Sequence, residues 1–187
     1  MAGKEGKAGV RPGPLPQEAL VSTGRTRDGI LVLVRPLGPE DVLAWRAMIE
    51  SCCPETIWHR FERRSRERLL AEADQLCTVD PSCEVALVAE LLEVEPGRLV
   101  AEARLCALPG RDEAEFSVLV ADPWQGKGLG SMLTDRCLTL ARWWGIRRVL
   151  AEVMAENVRM IALLQSRGFR FLCEPHGGIV RGEKVLS

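Results

Sequence analysis

The sequence predicts a mixed α/β (α+β) fold around a central sheet of about seven strands, in the order β-α-α-β-β-β-α-β-α-β-β. Two observations carry this. Short β-rich runs alternate with amphipathic helical runs along most of the chain. One apolar strand, Val118-Leu119-Val120-Ala121, passes through alternate glycines directly into a helix with a single apolar stripe.

Residues 1–28 are rich in glycine and proline and poor in large apolar groups. Such a segment buries too little surface to offset its ordering entropy, so a flexible tail is expected there and one folded domain over 29–187. Ile30–Val34 reads as the first strand. Asp41 opens a helix through Trp45, Met48 and Ile49 that Pro54 ends, and a second helical region is expected over 55–76. Runs at 84–93 and 98–107, joined through Glu95-Pro96-Gly97, read as an antiparallel hairpin. The run 113–121 alternates, then turns apolar. Beyond it, Leu129, Leu133, Cys137, Leu140, Ala141 and Trp144 fall at three- and four-residue steps, and Gly145 ends that helix. A strand at 148–154, a helix at 157–167 closed by Gly168, and strands near 169–173 and 179–185 complete the order.

Composition bounds the function. The chain has 187 residues, 47% hydrophobic and 27% charged, with a net charge of −1. That balance is ordinary for a soluble globular protein and argues against a strongly basic nucleic-acid surface. Seven cysteines without a Cys-x-x-Cys pair read as reduced, mostly buried thiols, and with no leader sequence in view a cytoplasmic location is expected. No apolar run reaches membrane-spanning length. His59 and His176 have no ligand-like spacing to cysteine or carboxylate, so no metal site is expected.

The most informative stretch is Asp122-Pro123-Trp124-Gln125-Gly126-Lys127-Gly128-Leu129-Gly130. Glycines let the backbone turn tightly and approach a ligand closely. The free N–H groups and dipole of the helix start favour an anion such as a pyrophosphate. Lys127 adds charge at the rim. The spacing fits neither a Rossmann nor a Walker loop.

Gln125-x-x-Gly128-x-Gly130 resembles the acetyl-CoA signature of the GNAT superfamily of N-acetyltransferases. Asn157…Gly168-Phe169 is similar to the family's ending, and the likeness covers roughly residues 30–174. The resemblance implies the GNAT fold, with acetyl-CoA as co-substrate and no metal. It implies that backbone amides of Gln125, Gly126, Lys127, Gly128, Leu129 and Gly130 bind the CoA pyrophosphate. Leu119 and Val120 would pair with the pantetheine arm, the Leu119 N–H would face the thioester oxygen, and Asn157 would hydrogen-bond the CoA arm. Asn157 also reads as a plain helix N-cap.

Transfer to an amine needs that amine neutral, and a lysine at its ordinary pKa is neutral in only about one molecule per 2,500 at pH 7. Asp112, Glu113, Glu115 and Asp122 lie near the cofactor strand as candidate bases. Glu115 is the choice and Glu113 its rival, with burial or a relaying water helping the proton transfer. The chain contains no tyrosine; Leu164 stands where many family members place a tyrosine acid. Arg35-Pro36…Pro39-Glu40-Asp41…Pro54-Glu55…Arg60-Phe61 and Ala114-Glu115-Phe116 resemble the bacterial and archaeal protein lysine acetyltransferases that act on acyl-CoA synthetases. A protein lysine is thus the expected acceptor. A small amine acceptor and a non-catalytic acyl-CoA sensor remain the alternatives, and the sequence leaves the oligomeric state open.

Overall fold

The structure, a computed structural model, describes residues 15, 17–62, 64–110, 112–176 and 178–186. Its strands are β1 (Ser22–Arg25), β2 (Leu31–Pro36), β3 (Glu84–Leu91), β4 (Leu99–Ala107), β5 (Glu113–Val120), β6 (Arg148–Met154), β7 (Arg170–His176) and β8 (Ile179–Val185). They form one sheet of eight strands in the order β1-β2-β3-β4-β5-β6-β8-β7. Every neighbouring pair is antiparallel except β5 and β6, which run parallel. The helices are α1 (Gln17–Leu20), α2 (Val42–Glu50), α3 (Pro54–Phe61), α4 (Arg66–Ala71), α5 (Ala73–Leu76), α6 (Leu129–Trp143) and α7 (Val158–Gln165).

Side chains alternate across the sheet, and each face carries its own layer. Ala114, Phe116 and Val118 of β5 and Ala101, Ala103 and Leu105 of β4 are buried. They share the face covered by α6, whose stripe of Leu129, Leu133, Cys137, Leu140 and Ala141 is also buried. Fully burying each Leu of that stripe is worth ~1.5–3 kcal/mol, so tertiary packing rather than propensity holds the helix in place.

The opposite face presents Glu102 and Arg104 from β4, and Glu115, Ser117 and Leu119 from β5, as cross-strand partners. Here the contacts are polar but closed. Glu102 is 1% exposed, accepts from Trp45 Nε1 at 2.8 Å and is ion-paired with Arg104. Arg104 also meets Glu84 at 2.7 Å and donates to the Leu76 carbonyl. These bonds dock α2 and α5 onto β4.

Two expectations change. Residues 1–14 and 16 of the expected tail lie outside the described residues. The remainder of 1–28 carries α1 and β1, and β1 pairs residue by residue with β2, from Ser22↔Val34 to Arg25↔Leu31. That strand is held by backbone bonds rather than buried side chains, so composition does not signal it. The single helical region over 55–76 is three helices. Glu62 adopts φ 50° after α3, and Ser65 caps α4 by accepting from Arg68 N–H at 3.3 Å.

Replacing Glu102 with leucine leaves a buried guanidinium and an indole N–H short of an acceptor. Breaking such a pair should cost ~3–5 kcal/mol, read as a lower urea midpoint at unchanged slope. A loss below ~1 kcal/mol would show that α2 and α5 dock by apolar packing alone.

Candidate active site

Strands β5 and β6 pair only at Glu113↔Arg148, Ala114↔Val149 and Glu115↔Leu150. Beyond Glu115 no β6 residue pairs with β5, and the parted strands open a cleft. The cleft measures about 1060 Å³ and runs from the glycine loop past Val118–Val120, between α3 on one side and α7 on the other. A smaller space of about 40 Å³ continues into the gap between the strands, lined by His59, Arg60, Ser117, Val153, Met160 and Leu164 among others.

Ladder phase decides which N–H groups face the opening. Ala121 N–H donates to Val100 O at 3.0 Å, and Leu108 N–H takes Glu113 O at 2.9 Å. Odd-numbered residues of β5 therefore address β4, because hydrogen-bonding direction alternates along a strand. Even-numbered residues address the other edge: Arg148 N–H takes Asp112 O, and Gln125 Nε2 takes Val120 O at 3.2 Å. The free edge thus carries the N–H groups of Val118 and Val120. The N–H of Leu119 is directed into the sheet toward Glu102, which corrects its expected direction toward a thioester by one residue. The cause is the β4–β5 register, a tertiary pairing. Leu119 still lines the cleft through its side chain.

At the mouth, Gly128 caps α6 at φ 93° and Gly126 sits at φ 76°, both left-handed conformations that favour glycine. Met132 N–H donates to Gly128 O at 3.0 Å, opening the helical ladder, so the N–H groups of Leu129, Gly130 and Ser131 have no carbonyl behind them. A Cβ on Gly130 would press on Leu163 Cδ2 at 3.3 Å. Loop and helix thus form a concave start to a 15-residue helix, whose free N–H groups and dipole favour negative charge. Gln125, Gly126, Gly128, Leu129 and Gly130 line the cleft; Lys127 does not. The Lys127 ammonium is held 2.6 Å from Asp28 and lies 5.0 Å from the Trp124 ring centre.

Gln125 ties the walls together. Its Nε2 donates to Thr56 Oγ1 at 3.1 Å, and its Oε1 accepts from Arg159 Nη1 at 3.4 Å. Asp122 fixes the start of α3 by accepting from Cys53 N–H at 2.7 Å, Thr56 Oγ1 at 2.9 Å and Cys53 Sγ at 3.1 Å. Burial pushes its carboxyl up, but these bonds outweigh burial and hold it below its ordinary value. Asn157 serves as the N-cap of α7, accepting from Met160 N–H at 3.1 Å, and it also lines the cleft.

Of the four candidate carboxylates, Glu113 is ion-paired with Arg148, Asp122 is committed to α3, and Asp112 is exposed before β5. Glu115 has no hydrogen bond or ion pair among the described residues; it is exposed and lies outside the lining of both spaces. The sequence reading passed over Arg27 and Arg159; it weighed His59 only as a metal ligand, and it read Arg60 as part of a solvated basic helix face with Arg63, Arg64 and Arg66 that could steer an acidic partner. Arg27 lines the cleft, donating through N–H to Lys127 O at 2.9 Å and through Nη1 to Gly126 O at 3.1 Å. His59 faces Glu156 across the cleft at 3.6 Å. The four-residue spacing of Glu55 and His59, and of Thr56 and Arg60, puts these pairs on adjoining faces of one short helix.

The cysteines with described side chains are unpaired. Burial pushes the thiols of Cys52, Cys77 and Cys137 up to about 12, so they are inert packing groups. Among the described residues there is no cluster of three metal-ligating side chains, and no helix is long and apolar enough to cross a membrane.

Comparison with known proteins places this geometry in context. Residues 45–169 match the acetyltransferase (GNAT) family. An acetyltransferase of Pseudomonas aeruginosa is 34% identical over 142 residues, 76% of each chain. Acetyltransferase Pat of Mycolicibacterium smegmatis is 28% identical over 83% of this chain, which spans 46% of that protein. Among solved structures, the GNAT domain of S. lividans PAT superposes with a TM-score of 0.82 at 29% identity, covering 92% of this chain and 99% of that domain.

Asp122→Ala removes the acceptor of four donors at the cleft wall, from Cys53, Thr56 and Gln125, and should cost ~1–3 kcal/mol at pH 7. Because the folded carboxyl titrates below its ordinary value of 3.8, this stability is present above that value and lost as the pH falls through the folded pKa. Urea titrations of wild type and variant should therefore converge at acid pH; a difference that persists unchanged there would refute the carboxylate's role.

Proposed function

The chain belongs to the acetyltransferase (GNAT) family, and we propose that it moves the acetyl group of acetyl-CoA directly onto a protein lysine, with acyl-CoA synthetases as the class of protein modified. The observation that carries the transfer reading is the free edge of β5 opening beside the glycine loop. A pantetheine arm contains amides, and amides can complete an unpaired strand edge. The pyrophosphate then falls on the backbone N–H groups of the loop and the start of α6. The residues fit the cofactor: space in front of Gly126 is clear, and no Cβ at Gly128 or Gly130 intrudes. Asn157 and Arg27 also line the cleft, from α7 and from the turn against the glycine loop, and are placed to meet the CoA arm.

In this reading the Val118 N–H, on the free edge, stabilises the thioester oxygen as charge develops on it. The amine attacks the carbonyl carbon, and Glu115 takes the proton that the amine loses. Glu115 is exposed, so a water carries the proton to it. The departing thiolate is protonated by solvent; Leu164, buried at the gap, offers no acid. The lysine acceptor is supported by the Arg35-Pro36…Arg60-Phe61 segment and by likeness to the Pat-type domain. The same residues leave a small amine as the second reading, because fold alone does not select the acceptor.

Glu115→Gln preserves shape and removes the proton acceptor. Turnover at pH 7 should fall by roughly 10²–10⁴, with acetyl-CoA affinity nearly unchanged. The loss should shrink as pH rises, since more amine arrives neutral. A pH–rate series on wild type, Glu115→Gln and Glu113→Gln checks this. A Glu115→Gln enzyme within about threefold of wild type at pH 7 would remove Glu115 from the mechanism.

A further inference from the structure

Half-buried arginines in this fold almost all hold at least one acceptor, although the Nε atoms of Arg46, Arg66 and Arg136 are buried without one. Arg35, Arg46, Arg98, Arg104 and Arg167 each meet a carboxylate, and Arg66 donates to the Cys52 carbonyl. Among the described residues, Arg60 is the one half-buried arginine with neither a hydrogen bond nor an ion pair. Its guanidinium carbon lies 4.6 Å from the centre of the Phe61 ring, a surface that supports a cation without accepting its N–H groups. Five N–H donors and a permanent charge are thus held in a partly desolvated place with no acceptor among the described residues.

In the acetyl-transfer reading, that place is the acceptor end of the site. Arg60 lines both the main cleft and the smaller space between β5 and β6. It feels the charges of Glu102, Arg104 and Glu115 on the sheet face beneath α3. Glu102 is already engaged by Trp45 and Arg104. Glu115 carries no partner, yet it and Arg60 do not pair. One free anion and one free cation therefore stand apart on the same face. Burial acts on Arg60 against its charge, a cost that an incoming anion would relieve.

We propose that Arg60 binds a carboxylate of the acceptor, so that this protein selects amines that carry a carboxylate close to the one acetylated. On a protein substrate this is a lysine with an aspartate or glutamate beside it. The planar fork of the guanidinium matches a carboxylate with two parallel hydrogen bonds, which fixes the acceptor's orientation as well as adding affinity. The proposal rests on the acetyl-transfer reading of the cleft and names the substrate class that the reading leaves open.

The test uses the full chain, acetyl-CoA and two matched pairs of acceptors. One pair is capped peptides with a central lysine flanked by aspartate or by asparagine. The other is free lysine and lysinamide. Wild type should show kcat/KM at least about tenfold higher for the carboxylate member of one pair, the worth of a charge-assisted hydrogen bond. Preference in the peptide pair assigns the carboxylate to an acidic neighbour; preference only for free lysine assigns it to an α-carboxylate. Arg60→Gln should erase the preference through KM while leaving turnover of the carboxylate-free member unchanged. Arg60→Lys should keep part of it, and it carries the test should Arg60→Gln fail to fold. Equal rates within both pairs in wild type, or a preference that survives Arg60→Gln, would overturn the proposal. Acetylation of no acceptor at all would contradict the transfer reading instead.

Discussion

The structure turns on three residue pairs. β5 and β6 are joined only from Glu113 to Glu115, and the cleft opens beyond that point. A strand that loses its neighbour in the interior of a sheet leaves backbone N–H and C=O groups without partners, a costly state if no other group supplies them. Here the ladder phase assigns the open edge to Val118 and Val120. The Gln125 side chain takes the Val120 carbonyl, leaving the N–H groups for a ligand. The fold thus creates a linear, backbone-built edge whose shape suits a chain of amides.

The remaining elements hold that edge open and finish it. Asp122 clamps the start of α3, Gln125 reaches both α3 and α7, and the turn around Arg27 and Asp28 grips the far side of the glycine loop. None of these contacts is large. Together they fix three separate walls relative to one loop, which is how a short glycine-rich segment obtains a defined shape. The acceptor side, as proposed, is built differently, from charges left unpaired among the described residues: Glu115 on β5 and Arg60 on α3. In the proposed reading, cofactor binding by backbone and acceptor binding by side chains is a division that lets the acceptor vary while the loop stays the same.

Local patterns were legible wherever one residue's neighbours in sequence are also its neighbours in space. The stripe of α6, the β3–β4 hairpin, the glycine loop and the Asn157 cap were all readable from spacing. Features set by distant pairing were not. β1 has the composition of a tail and is a strand only because β2 lies beside it. The phase of Leu119 against Val118 depends on how β4 is registered. Lys127 reads as a free cation until Asp28, far away in sequence, is brought to it. Glu113 and Glu115 are equivalent on one strand face until Arg148 arrives from β6 and takes Glu113. The break at Glu62 was hidden by a run of good helix formers, although Ser65 marks the start of the next helix.

The central claim is that backbone amides on the free edge of β5 and in the glycine loop hold the cofactor. Amide hydrogen exchange, resolved by residue with and without saturating acetyl-CoA, tests it most directly. Exchange should slow by about tenfold or more at Val118, Val120 and Gly126 through Gly130, the effect of ~1.4 kcal/mol or more of added protection. Leu119, already bonded within the sheet, should change little. Unchanged exchange at Val118 and Val120, or protection confined to Leu119, would contradict the account.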